Sequence, residues 1–222
     1  PQLTSSQPQV IVPVVSEEAT PTQLHPDSPE SYAKLGDFYA QKQQWQEAIF
    51  FYKQAIKGKP KFTHAYRSLA KIYNHLGQSQ ESTECLFQVL TIEPNRAGAE
   101  QHFSLGNVLR QQGKSDRAIV CYRQAIKLQP EFSKAYLALG EVLEDASDME
   151  KAVACYQKAI KLDSSNCQGY HNLGYIFKKK KKWEKATTAY LQAIKLNPEF
   201  SWSYNNLGNA LLKQQQWEEA AQ

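Results

Sequence analysis

A short pattern recurs along most of this chain at a fixed spacing. A leucine is followed by glycine, or once by alanine, and most successive copies stand 34 residues apart. The pairs are Leu35-Gly36, Leu69-Ala70, Leu105-Gly106, Leu139-Gly140, Leu173-Gly174 and Leu207-Gly208. A fixed period of this length indicates a stack of similar supersecondary units rather than one globular core.

Other positions of the unit repeat with the same period. A small residue follows each leucine by thirteen positions, and a large residue stands four positions further on. In five units that large residue is Tyr52, Leu86, Tyr122, Tyr156 or Tyr190. Two amphipathic helices per unit account for the pattern, because small residues let the helices approach and large ones fill the space between them. The second unit departs in two ways, since it has Ala70 in place of glycine and contains two extra residues around 95–98.

This pattern resembles the tetratricopeptide repeat (TPR) family. In its regularity it is similar to bacterial arrays and to the repeat region of O-GlcNAc transferases. The resemblance implies an all-α fold, an α-α superhelix or solenoid built of antiparallel helix pairs. In the first unit we expect helices at roughly 29–42 and 45–58. The TPR domain is predicted to cover residues 29–222, with repeats at 29–62, 63–98, 99–132, 133–166 and 167–200 and a partial repeat at 201–222.

Residues 1–28 differ in composition from the repeats. Six of the ten prolines lie at or before residue 29, which predicts a Pro-rich tail that is disordered or extended. Within it, Val10–Val15 is an apolar segment. Two hypotheses stay open for this segment: a linker, or self-association in which the tail occupies a groove of its own or of a neighbouring copy. The sixth repeat stops within its second helix, so we expect the chain to belong to a longer protein.

Composition argues against several classes of function. The net charge is only +4, with both signs interleaved, which does not favour nucleic acid as a partner. The longest apolar runs are far shorter than the roughly 20 residues of a membrane-spanning helix. The four cysteines have neither zinc-site spacing nor the density of a disulfide scaffold. A reducing, cytoplasmic location is the expectation.

No residue pattern in the sequence indicates catalysis. Gly113-Lys114-Ser115 has the ending of a phosphate-binding loop, but Val108 stands where that loop requires its first glycine. The five histidines are scattered over the chain and form no spacing suited to a metal or to a nucleophile's base. We therefore expect no enzyme activity, no cofactor and no metal site in these residues.

The TPR resemblance implies that the first helix of each unit lines a concave groove. Candidate partner-binding residues, transferred from the family's groove positions, are Arg67, Lys71, His75, Ser104, Asn107, Arg110, Lys134, Glu141, His171, Asn172, Tyr175, Lys178, Trp202, Asn205, Asn206 and Asn209. An asparagine amide both donates and accepts hydrogen bonds, so it can pair with the main chain of any peptide. Asn172 and Asn206 match one rung of the asparagine ladder known from O-GlcNAc transferase repeats. The carboxylate-clamp residues of chaperone-binding members are not present in register.

The sequence predicts a non-catalytic protein–protein interaction module that binds a peptide or partner protein in this groove. One alternative is the repeat region of a larger enzyme, such as a glycosyltransferase or methyltransferase. Another is nucleic-acid binding through the lysine run Lys178–Lys182, although a solvated turn is the simpler interpretation of that run.

Overall fold

The computed structural model describes residues 28–220 of the 222, with side chains described up to residue 215. Within this part of the chain the secondary structure consists of α-helices joined by short turns. The helices are α1 (Pro29–Gln41), α2 (Trp45–Gly58), α3 (Thr63–His75), α4 (Ser79–Ile92), α5 (Ala99–Gln111), α6 (Ser115–Leu128), α7 (Ser133–Asp145), α8 (Met149–Leu162), α9 (Cys167–Lys179), α10 (Trp183–Leu196) and α11 (Ser201–Ala220). The predicted tail, with Val10–Val15, lies outside the described residues, apart from Ser28, and stays a prediction.

Each of the first five units is a helix pair whose two members pack most closely on each other. Each pair then packs on the next, so the fold is the all-α solenoid expected from the repeat. The first helix starts where the sequence indicates. Ser28 caps α1 by accepting a hydrogen bond from the Ser31 amide to its Oγ at 3.1 Å, and Pro29 opens the first turn.

The turn between the two helices of a unit requires a left-handed backbone at one residue. That residue is Gln43, Gly77, Gly113, Ser147 or Lys181, with φ between 55° and 73°. Glycine adopts this conformation without steric cost, whereas other residues are strained there. The Gly113-Lys114-Ser115 sequence therefore forms a helix–helix turn between α5 and α6.

A glycine and a tyrosine interlock within four of the units. A Cβ atom built on the glycine would lie 2.5–2.8 Å from the nearest atom of the tyrosine ring, closer than real Cβ contacts allow. These pairs are Gly36 with Tyr52, Gly106 with Tyr122, Gly140 with Tyr156 and Gly174 with Tyr190. All four tyrosines are fully buried, so this contact sets the distance between the two helices of each unit.

The second unit lacks this contact and is followed by a wider junction. Ala70 and Leu86 occupy the two positions, and the Leu86 side chain stays 43% exposed. Six residues, 93–98, connect α4 to α5, whereas four connect the other successive units. The buried core is divided here into one cluster in α1–α4 and a larger one that begins at Leu105. The buried His102 donates from Nε2 to the Pro94 carbonyl at 2.8 Å and holds the longer loop.

The sixth unit corrects one expectation. The repeat predicts a turn near residue 215 and a second helix beginning at Trp217, but α11 runs unbroken to Ala220. The turn would need a left-handed backbone at Gln215. Within the described residues, only the four residues 217–220 follow Gln215 and Gln216. A helix of one turn packs too little surface to offset the cost of the left-handed backbone.

The cysteines of the second helices are structural. Cys85, Cys121 and Cys155 occupy equivalent places on α4, α6 and α8, as their spacing indicates. Burial raises the pKa of the Cys85 thiol to about 11 and that of Cys121 to about 12. Thiols that resist ionisation are poor nucleophiles and poor metal ligands.

Candidate peptide-binding groove

The first helices form the inner surface of the solenoid. Helices α1 and α3, α5 and α7, and α9 and α11 approach each other directly, whereas no two second helices do so to the same extent within residues 28–220. We call the surface formed by α1, α3, α5, α7, α9 and α11 the groove. All the candidate residues lie on these helices, from Arg67 on α3 to Asn209 on α11.

At the α3 end, the charge of Arg67 is already paired. Its Nη2 donates to Glu93 Oε2 at 2.6 Å, and the Thr63 hydroxyl donates to Glu93 Oε1 at 2.6 Å. The Thr63 hydroxyl, and after it Arg96 and Arg67, hold the pKa of the Glu93 carboxyl below its usual range. Arg67 is therefore less available to an acidic ligand than the sequence suggests.

Lys71 and His75 are exposed beside a small depression in the same region. The depression has a volume of about 280 Å³ between α1, α2 and α3. The ring of His75 lies 4.9 Å from that of Trp45, which is half-buried at the start of α2. This part of the groove offers a cation and an aromatic surface.

In the middle of the groove, Arg110 forms an ion pair with Glu141 of the next unit. Asn107 accepts a hydrogen bond to its Oδ1 from the hydroxyl of Tyr122 at 2.8 Å. Burial raises the pKa of Tyr122 to about 12, so its hydroxyl keeps its proton and stays a donor. Ser104 on α5 and Lys134 on α7 are exposed.

A polar pocket of about 310 Å³ lies where α5, α7 and α9 meet. It is lined by Arg110, Glu141, Glu144, Asp145, Tyr156, Gln168 and Asn172. Its three carboxyl groups outnumber its single cation. Burial raises the pKa of Glu144, although the Tyr156 hydroxyl donates to that carboxylate at 2.8 Å. We call this site the acidic pocket.

Asn172 lies at the edge of the acidic pocket and is less accessible than its place in the asparagine ladder suggests. Its side chain is only 8% exposed. Its Oδ1 accepts from Gln168 Nε2 at 2.7 Å. A ligand would have to displace this contact to use the Asn172 carbonyl.

The α9–α11 end is basic and rich in amides. Lys178 Nζ donates to Asn206 Oδ1 at 2.5 Å, and the Lys178 and Lys179 ammonium groups lie 5.0 and 4.5 Å from the centre of the Tyr175 ring. Asn205 and Asn209 are exposed. Trp202 is 67% exposed and is the most exposed large apolar side chain on the described groove helices.

His171 has a packing role rather than a free groove position. Its Nδ1 is 2.8 Å from Oγ of the fully buried Ser203, and its ring packs 5.0 Å from that of Phe200. Burial, and secondarily the charge of Lys178, lowers the pKa of His171. His171 therefore joins α9 to α11 as a neutral ring.

Four residues of the acidic pocket are absent from the candidates taken from the sequence: Glu144, Asp145, Tyr156 and Gln168. Tyr156 was counted only as a core residue, yet its hydroxyl reaches the pocket and fixes Glu144. Gln168 stands at a groove position but had no distinguishing feature in the sequence. The recurrence of tyrosine at one repeat position was the available signal, since a buried phenol needs a polar partner.

The described residues contain neither a metal-ligand cluster nor a membrane-spanning helix. Nowhere in residues 28–220 do three or more histidine, cysteine, aspartate or glutamate side chains gather as metal ligands would. Over the same residues, no helix has both the length and the apolar character that crossing a membrane demands.

Family models for the tetratricopeptide repeat match residues 29–62, 103–166, 155–188 and 174–215. Together they cover most of the chain. The chain belongs to the TPR family. As a TPR solenoid with an accessible groove, it is a protein–protein interaction module.

Solved TPR structures share the fold at low sequence identity. One is YrrB, described as a TPR protein with an unusual peptide-binding site, with a TM-score of 0.55, 17% identity and coverage of 82% of this chain and 92% of that one. Another is the first TPR of Spaghetti (RPAP3) bound to the HSP90 peptide SRMEEVD, with a TM-score of 0.50, 23% identity and coverage of 51% and 90%.

Two curated relatives are much longer than the region they share with this chain. The mouse protein O-mannosyl-transferase TMTC1 is 28% identical over 117 residues, which are 51% of this chain and 12% of that protein. The human antiviral innate immune response effector IFIT1 is 33% identical over 85 residues, which are 37% of this chain and 18% of that protein. The chain thus spans less than a fifth of either relative.

Proposed function

We propose that this TPR module binds an extended segment of a partner protein along the groove. We further propose that the segment places a basic residue at the acidic pocket and an acidic group at the α9–α11 end. The observation that carries the proposal is the separation of charge along one surface, with Glu141, Glu144 and Asp145 on α7 and Lys178 and Lys179 on α9. Complementary charges fix the direction and register of a bound segment more than they add affinity.

The acidic pocket supports the basic end of this ligand. The half-buried Glu144 carboxyl ionises reluctantly, because burial disfavours its charged form. An ammonium or guanidinium group of the partner would favour the ionised form of Glu144 and pair with its carboxylate. Asp145 is exposed at the rim, so the partner's cation can approach from solvent without first breaking the Arg110–Glu141 pair.

The amides support binding of main chain regardless of its sequence. Asn205 and Asn209 are both exposed on α11, and each amide can pair with a peptide N–H and C=O at once. Peptide binding by the TPR structures of YrrB and Spaghetti, as their descriptions state, supports the same class of ligand here.

The test is selection of a random dodecapeptide display library on the intact chain, followed by calorimetry of the enriched peptides. Replacing both Asn205 and Asn209 by alanine should weaken binding roughly thirtyfold to a thousandfold, because two to four main-chain hydrogen bonds are lost and each is worth about 1 kcal/mol. Gln157→Ala, an exposed amide on α8, is the matched control and should bind as the unaltered chain does. Enrichment of no peptide, or equal affinity in the Asn205/Asn209 variant, contradicts the proposal.

The charge arrangement has its own test with the same peptides. Asp145→Lys should remove lysine and arginine from the selected consensus, whereas Glu131→Lys, an exposed carboxylate outside the pocket, should leave the consensus unchanged. Binding that falls steeply with salt for DNA or RNA oligonucleotides, and not for peptides, would favour the lysine run Lys178–Lys182 as a nucleic-acid site.

A second candidate function is recruitment of substrates or partners for an enzyme carried by the same polypeptide. The similarity to a mouse O-mannosyl-transferase, of which this chain covers 12%, favours it. Sequencing the complete gene decides this, because a transferase domain in the same reading frame would establish it.

We also propose a cytoplasmic location for the module, supported by four cysteines that are all free.

A further inference from the structure

A large cavity lies between α4 and α5, at the wide junction after the second unit. Its volume is about 680 Å³, within the range of pockets that hold small ligands. The α4 side is formed by Leu86, Val89 and Leu90, and the α5 side by Leu105 and Val108. Arg67 and Ser104, both groove residues, also line it, so the cavity opens onto the groove.

The cavity includes space that a tyrosine fills in other units. In the first unit, the Tyr52 ring lies 6.3 Å from that of His64, and Tyr52 and Ser68 line the same depression. The Tyr52 hydroxyl donates to Asp37 Oδ1 at 2.7 Å. The residues equivalent to His64 and Ser68 beside Leu86 are Glu100 and Ser104, and both line the cavity. Leucine is shorter and lacks the hydroxyl, and the six-residue loop 93–98 separates the helices further.

The wall and rim of the cavity match an aromatic side chain. Leu86 and Val108 remain 43% and 39% exposed, although such side chains are usually covered when they adjoin other apolar residues. The rim is polar, because Arg67 and Arg96 both pair with Glu93 at its edge. An apolar pocket with fixed polar groups at its mouth suits a ring that carries a polar end.

We propose that this cavity receives a tyrosine or phenylalanine side chain of the partner segment, which takes the place of the tyrosine absent from the second unit. This inference rests on the proposed function and adds a specificity pocket to it. The ring would pack between Leu86 and Val108, with a tyrosine hydroxyl directed to the polar rim. The main chain of the segment would continue along α5 towards the acidic pocket.

The first experiment asks whether the cavity binds a tyrosine analogue. The intact ¹⁵N-labelled chain is titrated with p-cresol, and amide chemical shifts are followed. Saturable shifts are expected in α4, α5 and the loop 93–98. The double variant Ala70→Gly/Leu86→Tyr rebuilds the interlocking pair and fills the cavity from within, so it should lose these shifts. Leu191→Tyr changes another exposed leucine, on α10, and should keep them.

A second filling variant guards against a folding defect. Val108→Phe fills the cavity from the α5 side without touching Ala70, and should also abolish the p-cresol shifts. Circular dichroism confirms that each variant is helical. The proposal is overturned if the unaltered chain shows no saturable shift, or if both filled variants respond as it does.

The second experiment separates this inference from groove binding in general. Peptides selected on the unaltered chain should share one aromatic position, and replacing it by alanine should weaken binding roughly tenfold to a hundredfold. The same replacement should have little effect on binding to Ala70→Gly/Leu86→Tyr. If the selected peptides bind but share no aromatic residue, the proposed function is retained and the aromatic pocket is refuted. If a synthetic peptide of residues 9–16 displaces p-cresol and no aromatic peptide is selected, the chain's own tail is the occupant and the inference is wrong.

Discussion

Four units of this solenoid place a tyrosine against a glycine, and the second unit places a leucine against an alanine. The tyrosine cannot be combined with an alanine at the glycine position, since a Cβ at any of the four glycines would lie 2.8 Å or less from the ring. The glycine and the tyrosine therefore act as one structural feature. Where both are replaced, the helix pair still forms, but the junction with the next unit opens and two apolar side chains stay exposed.

This difference between the second unit and the others shows how a regular repeat protein can form a specific binding site at one junction. In a repeat protein each unit contacts only its neighbours, so a change in one unit alters one junction and leaves the others intact. Here the two core clusters meet at α4, where Cys85 belongs to the first cluster while Phe87 and Leu90 pack against the second. The tyrosine-bearing units keep the regular glycine–tyrosine contact, while the leucine-bearing unit lines a cavity.

The largest effect should come from breaking an interlocked pair. Gly140→Ala places a methyl group 2.5 Å from the fully buried Tyr156 ring, and we expect a loss of about 1–3 kcal/mol in unfolding free energy from overpacking. Urea denaturation followed by circular dichroism measures it. Gly208→Ala is the matched control, because nothing lies within 4 Å of its added Cβ. It should be neutral or stabilising by up to about 1 kcal/mol. Equal losses in both variants would show that the ring contact is unimportant.

The tyrosine-bearing units also differ among themselves at the hydroxyl. Tyr122 donates to Asn107, whereas the buried Tyr190 hydroxyl finds no hydrogen-bond partner among the described residues. Tyr122→Phe should cost about 1 kcal/mol, and Tyr190→Phe should stabilise by a similar amount, because an unpaired buried hydroxyl is a penalty. The two thermal unfolding midpoints should therefore move in opposite directions. A parallel decrease would contradict this account of Tyr190.

A smaller effect concerns the turn inside each unit. The two units that flank the wide junction have Gly77 and Gly113 at the left-handed position, while the fourth unit has Ser147 there. Gly77→Ala should destabilise by about 1 kcal/mol, since nothing contacts its Cβ and only backbone strain is added. Ser147→Gly should stabilise by about 0.5–1 kcal/mol for the same reason. Denaturation midpoints that fail to move in opposite directions would refute the role of backbone strain.

The fold could be predicted from sequence because its information is local and repeated. The period, the small residues and the tyrosines each recur several times, so α1 and α2 were placed to within one residue. The unbroken α11 could not be predicted, since the turn depends on a second helix packing back and not on the turn residues alone. Gln43 makes the same turn in the first unit, where a full α2 covers α1.

The groove was predicted as a set of positions but not as a charge pattern. Arg67 pairs with Glu93, 26 residues away in the same unit, and Arg110 pairs with Glu141, 31 residues away in the next unit. No spacing rule in the sequence indicates which cations are neutralised in this way. The cavity was visible only as two separate irregularities, Leu86 and the longer loop at 93–98. Only the packing of α4 beside α5 brings Leu86 and the loop together at one junction.

The smallest expected effect tests how the tyrosine of the fourth unit is held. Tyr156 donates to a carboxylate, Glu144, where Tyr122 donates to an amide. Burial raises the pKa of Glu144, so the folded chain binds this proton more tightly than the unfolded chain. The resulting stability is fully present below the ordinary glutamate pKa of about 4.3 and is lost as the pH rises through the folded-state pKa.

Glu144→Gln keeps an acceptor for the Tyr156 hydroxyl and removes the ionisation. Relative to the unaltered chain, we expect it to be more stable by several tenths of a kcal/mol at pH 8, with the difference vanishing towards pH 4. Urea denaturation of both chains across this range measures the difference, and the other titrating groups cancel in the comparison. Asp145→Asn, the exposed neighbour, should show no such trend. A difference that grows as the pH falls would mean that Glu144 is stabilised as a carboxylate, and that the fourth unit holds its tyrosine by charge rather than by burial.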